Sequence, residues 1–446
     1  MKTAFFSILP GWGHLNPNIK LARCLQKLGY RCVFASTLEF REVIINNGFE
    51  LVLIQSKPFG LGLEDMQGET ANSPYLESLL DRFQDLSYHA RKKDYEKWLK
   101  EYEPDLILID AFHSTDFILI EPLIKKKASK VVFIQTMLSP YNDGFTPPLT
   151  TFLLPNNEQK VKQAWQKMKF KRVLSRGIDL IRFLGLSNSL LVKRKFQKNQ
   201  ISKKYAIVDD KVFHVGFQNI EEWVLAPQEI EFLGKPIKAN QHYLGLMTDT
   251  QEQILPDNLQ DFVNQAKSQN KKIIYASLGT LHSVHTKGKS EHFFEKLRSI
   301  FEAKNDYYLI LSVGKELKNT LKTQAKHIKM LETVPQRGLL KEVDVFITHG
   351  GLNSVLESAY AGVPMLMIPL NNKWDQNGNA ARVVYHGLGI KVNLQDSKEA
   401  IENTINELLN HTIYQQKAQA FSKALHEKYS NESFLGDFFS TELLVQ

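Results

Sequence analysis

The chain has 446 residues, 43% hydrophobic and 23% charged, which excludes a disordered, collagenous or fibrous polymer and leaves room for two or three domains with their own cores. Lys and Arg number 56 against 48 Asp and Glu, a net charge of +8, yet fourteen of those cations and a single acid, Asp179, fall within 159–204. That segment carries +13, so the remainder sits at −5, a mildly acidic body with one basic insert.

Residues 3–9 form an apolar run ended by Pro10 and Gly11. It is too short to span a bilayer and lacks a small-residue cleavage pattern, so it reads as a buried first strand rather than a signal peptide. From Leu15 to Tyr30 the apolar positions Leu15, Ile19, Ala22, Leu25 and Leu28 recur at helical spacing and Gly29 closes them. Short apolar, β-branched runs follow at 31–35, 50–54, 106–109 and 131–135, separated by stretches long enough for helices. A second series, at 272–277, 308–313, 328–331, 343–348 and 364–368, repeats the arrangement. The pattern predicts two doubly wound parallel α/β domains in tandem. Pro227, Gly234 and Pro236 mark the join, giving an N-terminal domain at 1–235 and a C-terminal one at 236–425. The tail, 426–446, has helical spacing with no strand after it and is expected to pack back across the boundary. Cys24 and Cys32 are too few for a disulfide framework or a zinc site of their own, which suits a reducing cytoplasm.

The richest local signal runs from Asp344 to Glu357, where a buried strand ends at His349-Gly350-Gly351 and Asn353-Ser354 opens the next helix. Free N–H groups and the positive end of a helix dipole bind phosphate, and Glu357, four residues beyond Asn353, lies one turn along the same face. A glycine turn with Asn353 or Ser354 as an ordinary N-cap explains the same residues. At the other end of the chain, Pro10-Gly11-Trp12-Gly13-His14 places a histidine at the mouth of the first strand, where open α/β sheets bind ligands. Imidazole takes a proton from a hydroxyl when a carboxylate holds its tautomer. Asp110, at the end of the strand 106–109, is the first candidate for that carboxylate and Asp116 the second.

The flanks of the glycine motif add Val334-Pro335-Gln336 before it and Ala361-Gly362-Val363-Pro364 and Trp374-Asp375-Gln376 after it. Taken together, 333–376 resembles the nucleotide-sugar signature of the family 1 UDP-glycosyltransferases, whose members include plant secondary-metabolite, animal glucuronosyl, and bacterial macrolide and carotenoid enzymes. The resemblance implies the GT-B fold, two Rossmann-like domains facing across a cleft. It implies that backbone beside Gln336 meets the uracil, that His349, Asn353 and Ser354 meet the diphosphate, and that Glu357 meets the ribose. Asp375 and Gln376 would read the sugar hydroxyls, and Gly13, Thr280 and Gly351 complete the donor positions. Neither Asp375 nor Gln376 supplies a cation for a uronate, which favours a neutral hexose such as glucose. One position departs: many members stack a Trp on the uracil where this chain has Thr333, which leaves a dTDP-sugar open as donor.

The reaction so implied is a single inverting transfer from a UDP-sugar, a co-substrate rather than a cofactor, to a hydroxyl of an apolar small molecule, with His14 as base and Asp110 orienting it. No Asp-x-Asp occurs, so no metal clamp on the diphosphate is indicated. A UDP-sugar epimerase or a membrane-lipid glycosyltransferase would use the same donor site. Gly11-x-Gly13 also resembles a dinucleotide loop, but Asn16 stands at its third glycine position. His282 and His285 have no third ligand nearby and read as loop residues. Within 159–204 the cations alternate with Trp165, Phe170, Ile178, Ile181 and Leu184. Such a segment is either a solvated helix face or a peripheral contact of a cytoplasmic protein with an anionic membrane. No nucleic-acid-binding module accompanies it.

Overall fold

The structure, a computed structural model, describes the chain apart from residues 61–74, 126, 128, 214, 249–252, 280–286, 305, 430–434, 437 and 441–446. It divides into two compact units, each assembled from three segments: 1–148, 158–226 and 236–247 in the first, and 149–157, 227–235 and 248–446 in the second. The chain therefore returns between units more often than a single cut at 235 implies.

Seven parallel strands form the sheet of the first unit: β1 (Lys2–Ser7), β2 (Tyr30–Ser36), β3 (Glu50–Leu53), β4 (Leu106–Asp110), β5 (Lys130–Gln135), β8 (Glu221–Val224) and β9 (Gln241–Tyr243). A short antiparallel ribbon pairs β6 (Ile207–Val208) with β7 (Gly216–Phe217). The sheet order is β3-β2-β1-β4-β5-β8-β9. Because β2 and β3 lie on one side of β1 while the chain then crosses to β4 on the other, the winding reverses between β1 and β4. Ligands of open α/β sheets bind at such a switch point, outside the carboxyl ends of the strands. Strands such as β4, Leu-Ile-Leu-Ile-Asp, are buried throughout, as expected where helices cover both faces.

The second unit repeats the plan with β10 (Lys272–Ser277), β11 (Tyr307–Ser312), β12 (Ile328–Leu331), β13 (Val345–Thr348), β14 (Met365–Met367) and β15 (Gly389–Lys391), in the order β12-β11-β10-β13-β14-β15. Its switch point lies between β10 and β13. The final long helix, Thr412–Tyr429, packs in this unit, with Ser422 donating to the Tyr360 carbonyl at 2.6 Å and His426 stacked 3.8 Å over the Tyr360 ring. Lys428 and Tyr429 reach Glu229 of the same unit at 2.5 and 2.8 Å. Among the described residues no helix is long and apolar enough to cross a membrane.

The ten strands expected from the sequence all form, with ends shifted by no more than two residues. The first helix differs in a way that matters for the site, since it spans Trp12–Lys27 rather than starting at Leu15. Gly11, extended at φ −177°, precedes it, and the His14 N–H closes a tight first turn on the Gly11 carbonyl at 3.0 Å. His14 is thereby carried on a helix and not on a free loop.

Candidate active site

In the first unit the switch point gathers residues from three strand ends. The Nδ1 of His14 lies 2.7 Å from Asp110 Oδ2, with the carboxylate fully buried and the imidazole partly open. Asp110 Oδ1 accepts the Phe112 N–H at 2.9 Å, and the Leu9 N–H approaches Oδ2 at 3.4 Å. Burial raises the Asp110 carboxyl, but the opposing charge and hydrogen bond of His14, with His113 and the Phe112 N–H, outweigh it and leave it below the usual carboxylate range. An anionic Asp110 accepts the proton of Nδ1, so Nε2 is the basic nitrogen. Phe112 meets the imidazole edge to face at 5.0 Å and limits its rotation. Gly13, in the same helical turn, leaves open space where a side chain would stand.

Sequence reasoning missed Thr136, whose Oγ1 lies 2.8 Å from the same Nδ1. It follows β5, the strand next to β4, so the parallel register was the available clue. Asp116, the second candidate, is committed elsewhere. It is buried against the Arg91 guanidinium at 2.5 Å and accepts from the Tyr95 hydroxyl at 2.6 Å, which also meets Ser7 of β1 at 2.7 Å. Through Arg91 and Tyr95 it ties the helix Leu86–Tyr102 to the end of β1.

In the second unit the predicted donor residues fall in two groups around the β13 end. Gln336, at the start of the helix Gln336–Leu340, donates to Glu357 Oε2 at 2.7 Å and Ser354 Oγ at 3.2 Å, and accepts from the Tyr275 hydroxyl at 3.1 Å. Both partners sit on the helix Leu352–Ala361, so Gln336, Ser354 and Glu357 form one hydrogen-bonded set. Burial raises the Glu357 carboxyl above its ordinary value, against the opposing effects of the Gln336 hydrogen bond and the Arg337 charge. Asn353 lies in the first turn of that helix, half-buried.

His349 is held between two glycines. A Cβ on Gly279 would come 2.5 Å from its Cε1, and one on Gly351 would come 2.7 Å from its Nε2. Gly279 also has φ +77°, so side-chain absence and left-handed backbone are both needed there. Gly279 follows β10 and His349 follows β13, so the bracket spans the second switch point. Asp375 is buried and accepts from Asn379 Nδ2 at 2.9 Å, and the same amide holds the Gly350 carbonyl at 2.9 Å. Gln376 Oε1 accepts the N–H groups of Leu370 and Asn371 at 2.8 and 3.0 Å. Thr280, together with His282 and His285, lies outside the described residues. Among the described residues no three His, Cys, Asp or Glu gather as metal ligands.

Residues 186–432, more than half of the chain, match the family model "UDP-glucoronosyl and UDP-glucosyl transferase". Among similar proteins, the mouse UDP-glucuronosyltransferase 3A1 is 27% identical over 362 residues, covering 78% of this chain and 64% of that protein. The human 2-hydroxyacylsphingosine 1-beta-galactosyltransferase is 26% identical over 328 residues, covering 73% and 56%. The chain thus spans less than two thirds of the length of these relatives. The solved glycotransferase of kitacinnamycin superposes with a TM-score of 0.67 at 17% identity, covering 99% of this chain and 98% of that one, which establishes the GT-B fold. With that fold and the matched family model, the chain belongs to the UDP-glycosyltransferase family.

Proposed function

We propose that the protein transfers a neutral hexose from UDP to a hydroxyl of a hydrophobic small molecule, with inversion at the anomeric carbon. The observation that carries this reading is the 2.7 Å contact of His14 Nδ1 with the buried Asp110, which makes Nε2 a base. In the reaction Nε2 takes the acceptor proton while the acceptor oxygen bonds to the anomeric carbon. The bond from that carbon to the diphosphate breaks, and UDP leaves with the electron pair. His349 and the helix opening at Leu352 offer positive potential to the developing diphosphate charge. Glu357 and Gln336 suit the ribose and base, and Asp375 with Gln376 suits neutral sugar hydroxyls.

The test is UDP release from UDP-glucose with and without a pool of hydroxylated apolar acceptors. Acceptor-dependent release is expected in the wild type. In His14→Ala it should fall by about 10²- to 10⁴-fold, and Asp110→Asn should fall comparably because the wrong tautomer is then favoured. Full activity in His14→Ala defeats the base assignment. Because Thr333 leaves the base pocket without a stacking indole, a parallel arm supplies dTDP-glucose. Conversion of the sugar without acceptor would identify an epimerase instead.

A further inference from the structure

The helix Glu158–Arg182 begins as an ordinary surface helix and reverses its faces in its second half. Val161 and Trp165 on one side are buried, and the Trp165 indole donates to the Thr146 carbonyl at 2.8 Å. Two turns later that side presents Arg172 and Arg176, which bind Asp209 at 3.1 and 2.7 Å, with Arg172 also meeting the Asp209 carbonyl at 2.6 Å. The polar side thus anchors the helix to the first unit. At 100° per residue, Phe170, Leu174, Ile178 and Ile181 share the opposite stripe, and they are 68, 55, 55 and 81% exposed.

The stripe does not end with the helix. The Tyr75 hydroxyl donates to the Arg182 carbonyl at 2.5 Å, and the Arg82 guanidinium lies 3.7 Å over the Phe183 ring, which ties the helix Tyr75–Gln84 alongside. That second helix exposes Leu80 and Phe83 on one of its own faces. Lys167 and Lys171 lie along one edge of the first stripe, and Lys162 and Lys169 lie further round towards the buried side, all exposed. Hydrocarbon in the middle and flexible cations at the margins match a bilayer interface, where alkyl stems lie along the apolar region and ammonium groups reach the phosphates. A second copy of the chain would set +13 against +13, and nucleic acid would meet hydrocarbon where its phosphates need cations.

We propose that the outer faces of these two helices form a docking surface for an anionic lipid bilayer, with the long helix lying in the plane of the interface. The inference is independent of the glycosyl-transfer reading. It is tested by sedimenting the full chain with vesicles of phosphatidylcholine alone or with about 30% phosphatidylglycerol, at low ionic strength and at about 0.5 M salt. Binding is expected only with the anionic lipid, with partitioning falling at least about tenfold in high salt and in either Phe170→Glu/Ile181→Glu or Lys167→Glu/Lys171→Glu. Both double variants replace exposed side chains, so an unchanged thermal midpoint should accompany the loss. No vesicle binding, equal binding to neutral vesicles, or unchanged binding by both variants overturns the proposal. So does a wild-type dimer in sedimentation velocity that Phe170→Glu/Ile181→Glu dissolves, since the face would then belong to a second copy.

Discussion

Asp110 and Asp116 are separated by five residues after one strand, and either could partner His14 on spacing alone. What decides between them is Arg91, which arrives from the helix Leu86–Tyr102 and pairs with Asp116 where neither group is exposed. The same guanidinium donates toward His113 Nδ1 at 3.3 Å, so that nitrogen must stay unprotonated. Burial, reinforced by the Arg91 charge, pushes His113 down to about 4. The sign of the consequence follows from proton binding: the unfolded chain protonates this histidine near 6.5 while the fold resists until about 4. Stability contributed by a neutral His113 is therefore present above pH 6.5 and lost as pH falls from 6.5 toward 4, by on the order of 3 kcal/mol. Denaturation midpoints at pH 7, 5 and 4 should fall more steeply in the wild type than in His113→Asn, which keeps an acceptor for Arg91 without titrating. Parallel slopes in the two proteins would remove His113 as the source.

The glycines around His349 operate between elements, because Gly279 follows β10 and Gly351 precedes the helix Leu352–Ala361. Replacing Gly279 by Ala forces the imidazole away from its bracket and strains a left-handed backbone, at a cost of about 1–3 kcal/mol. If His349 meets the diphosphate, calorimetric titration with UDP should show affinity falling at least about tenfold in Gly279→Ala. Unchanged UDP affinity would mean that His349 does not contact the nucleotide. The strands that sequence reasoning overlooked have identifiable reasons. In β8, Glu-Glu-Trp-Val, Glu222 is fully buried and reads as polar, yet its carboxylate is satisfied by the Tyr141 hydroxyl, Gln135 Nε2 at 3.3 Å and Gln241 Nε2 at 2.8 Å. β9 and β15 are three residues long, too brief for any periodicity to show. Gly389 in β15 is required by close backbone approach, since a Cβ there would fall 2.0 Å from the Met365 carbonyl oxygen.

The segment 227–235, short and rich in turn residues, joins the second unit through a buried ion pair across 151 residues of sequence. Arg382 binds Glu231 at 2.7 and 2.5 Å and lies 4.6 Å over the Phe232 ring, and His386 meets the Glu231 carbonyl at 2.9 Å. Arg382→Ala removes the bidentate partner of the buried Glu231 and leaves Lys235, 3.9 Å from Oε1, to balance its charge, so the loss should be about 3 kcal/mol, the low end for a broken buried pair. Guanidinium unfolding followed by intrinsic fluorescence is the measurement, and a loss below about 1 kcal/mol would show that the carboxylate finds water instead. Local periodicity and punctuation were enough to foresee two tandem α/β domains and ten of the strands, because parallel strands buried on both faces and glycine turns leave short-range patterns, while most of the candidate donor residues were legible only through the resemblance to a known family. Strand-end position singled out His14 and Asp110, which lie 2.7 Å apart, whereas Gln336 was singled out only by the family resemblance, and it bonds Ser354 and Glu357. Tertiary structure alone decided that Asp116 is taken by Arg91, that Thr136 joins His14, that 227–235 belongs with the second unit, and that the basic helix turns its hydrocarbon outward. Each of these depends on which partner arrives from a distant part of the chain to neutralise a charge or cover a face, and sequence spacing carries no record of that.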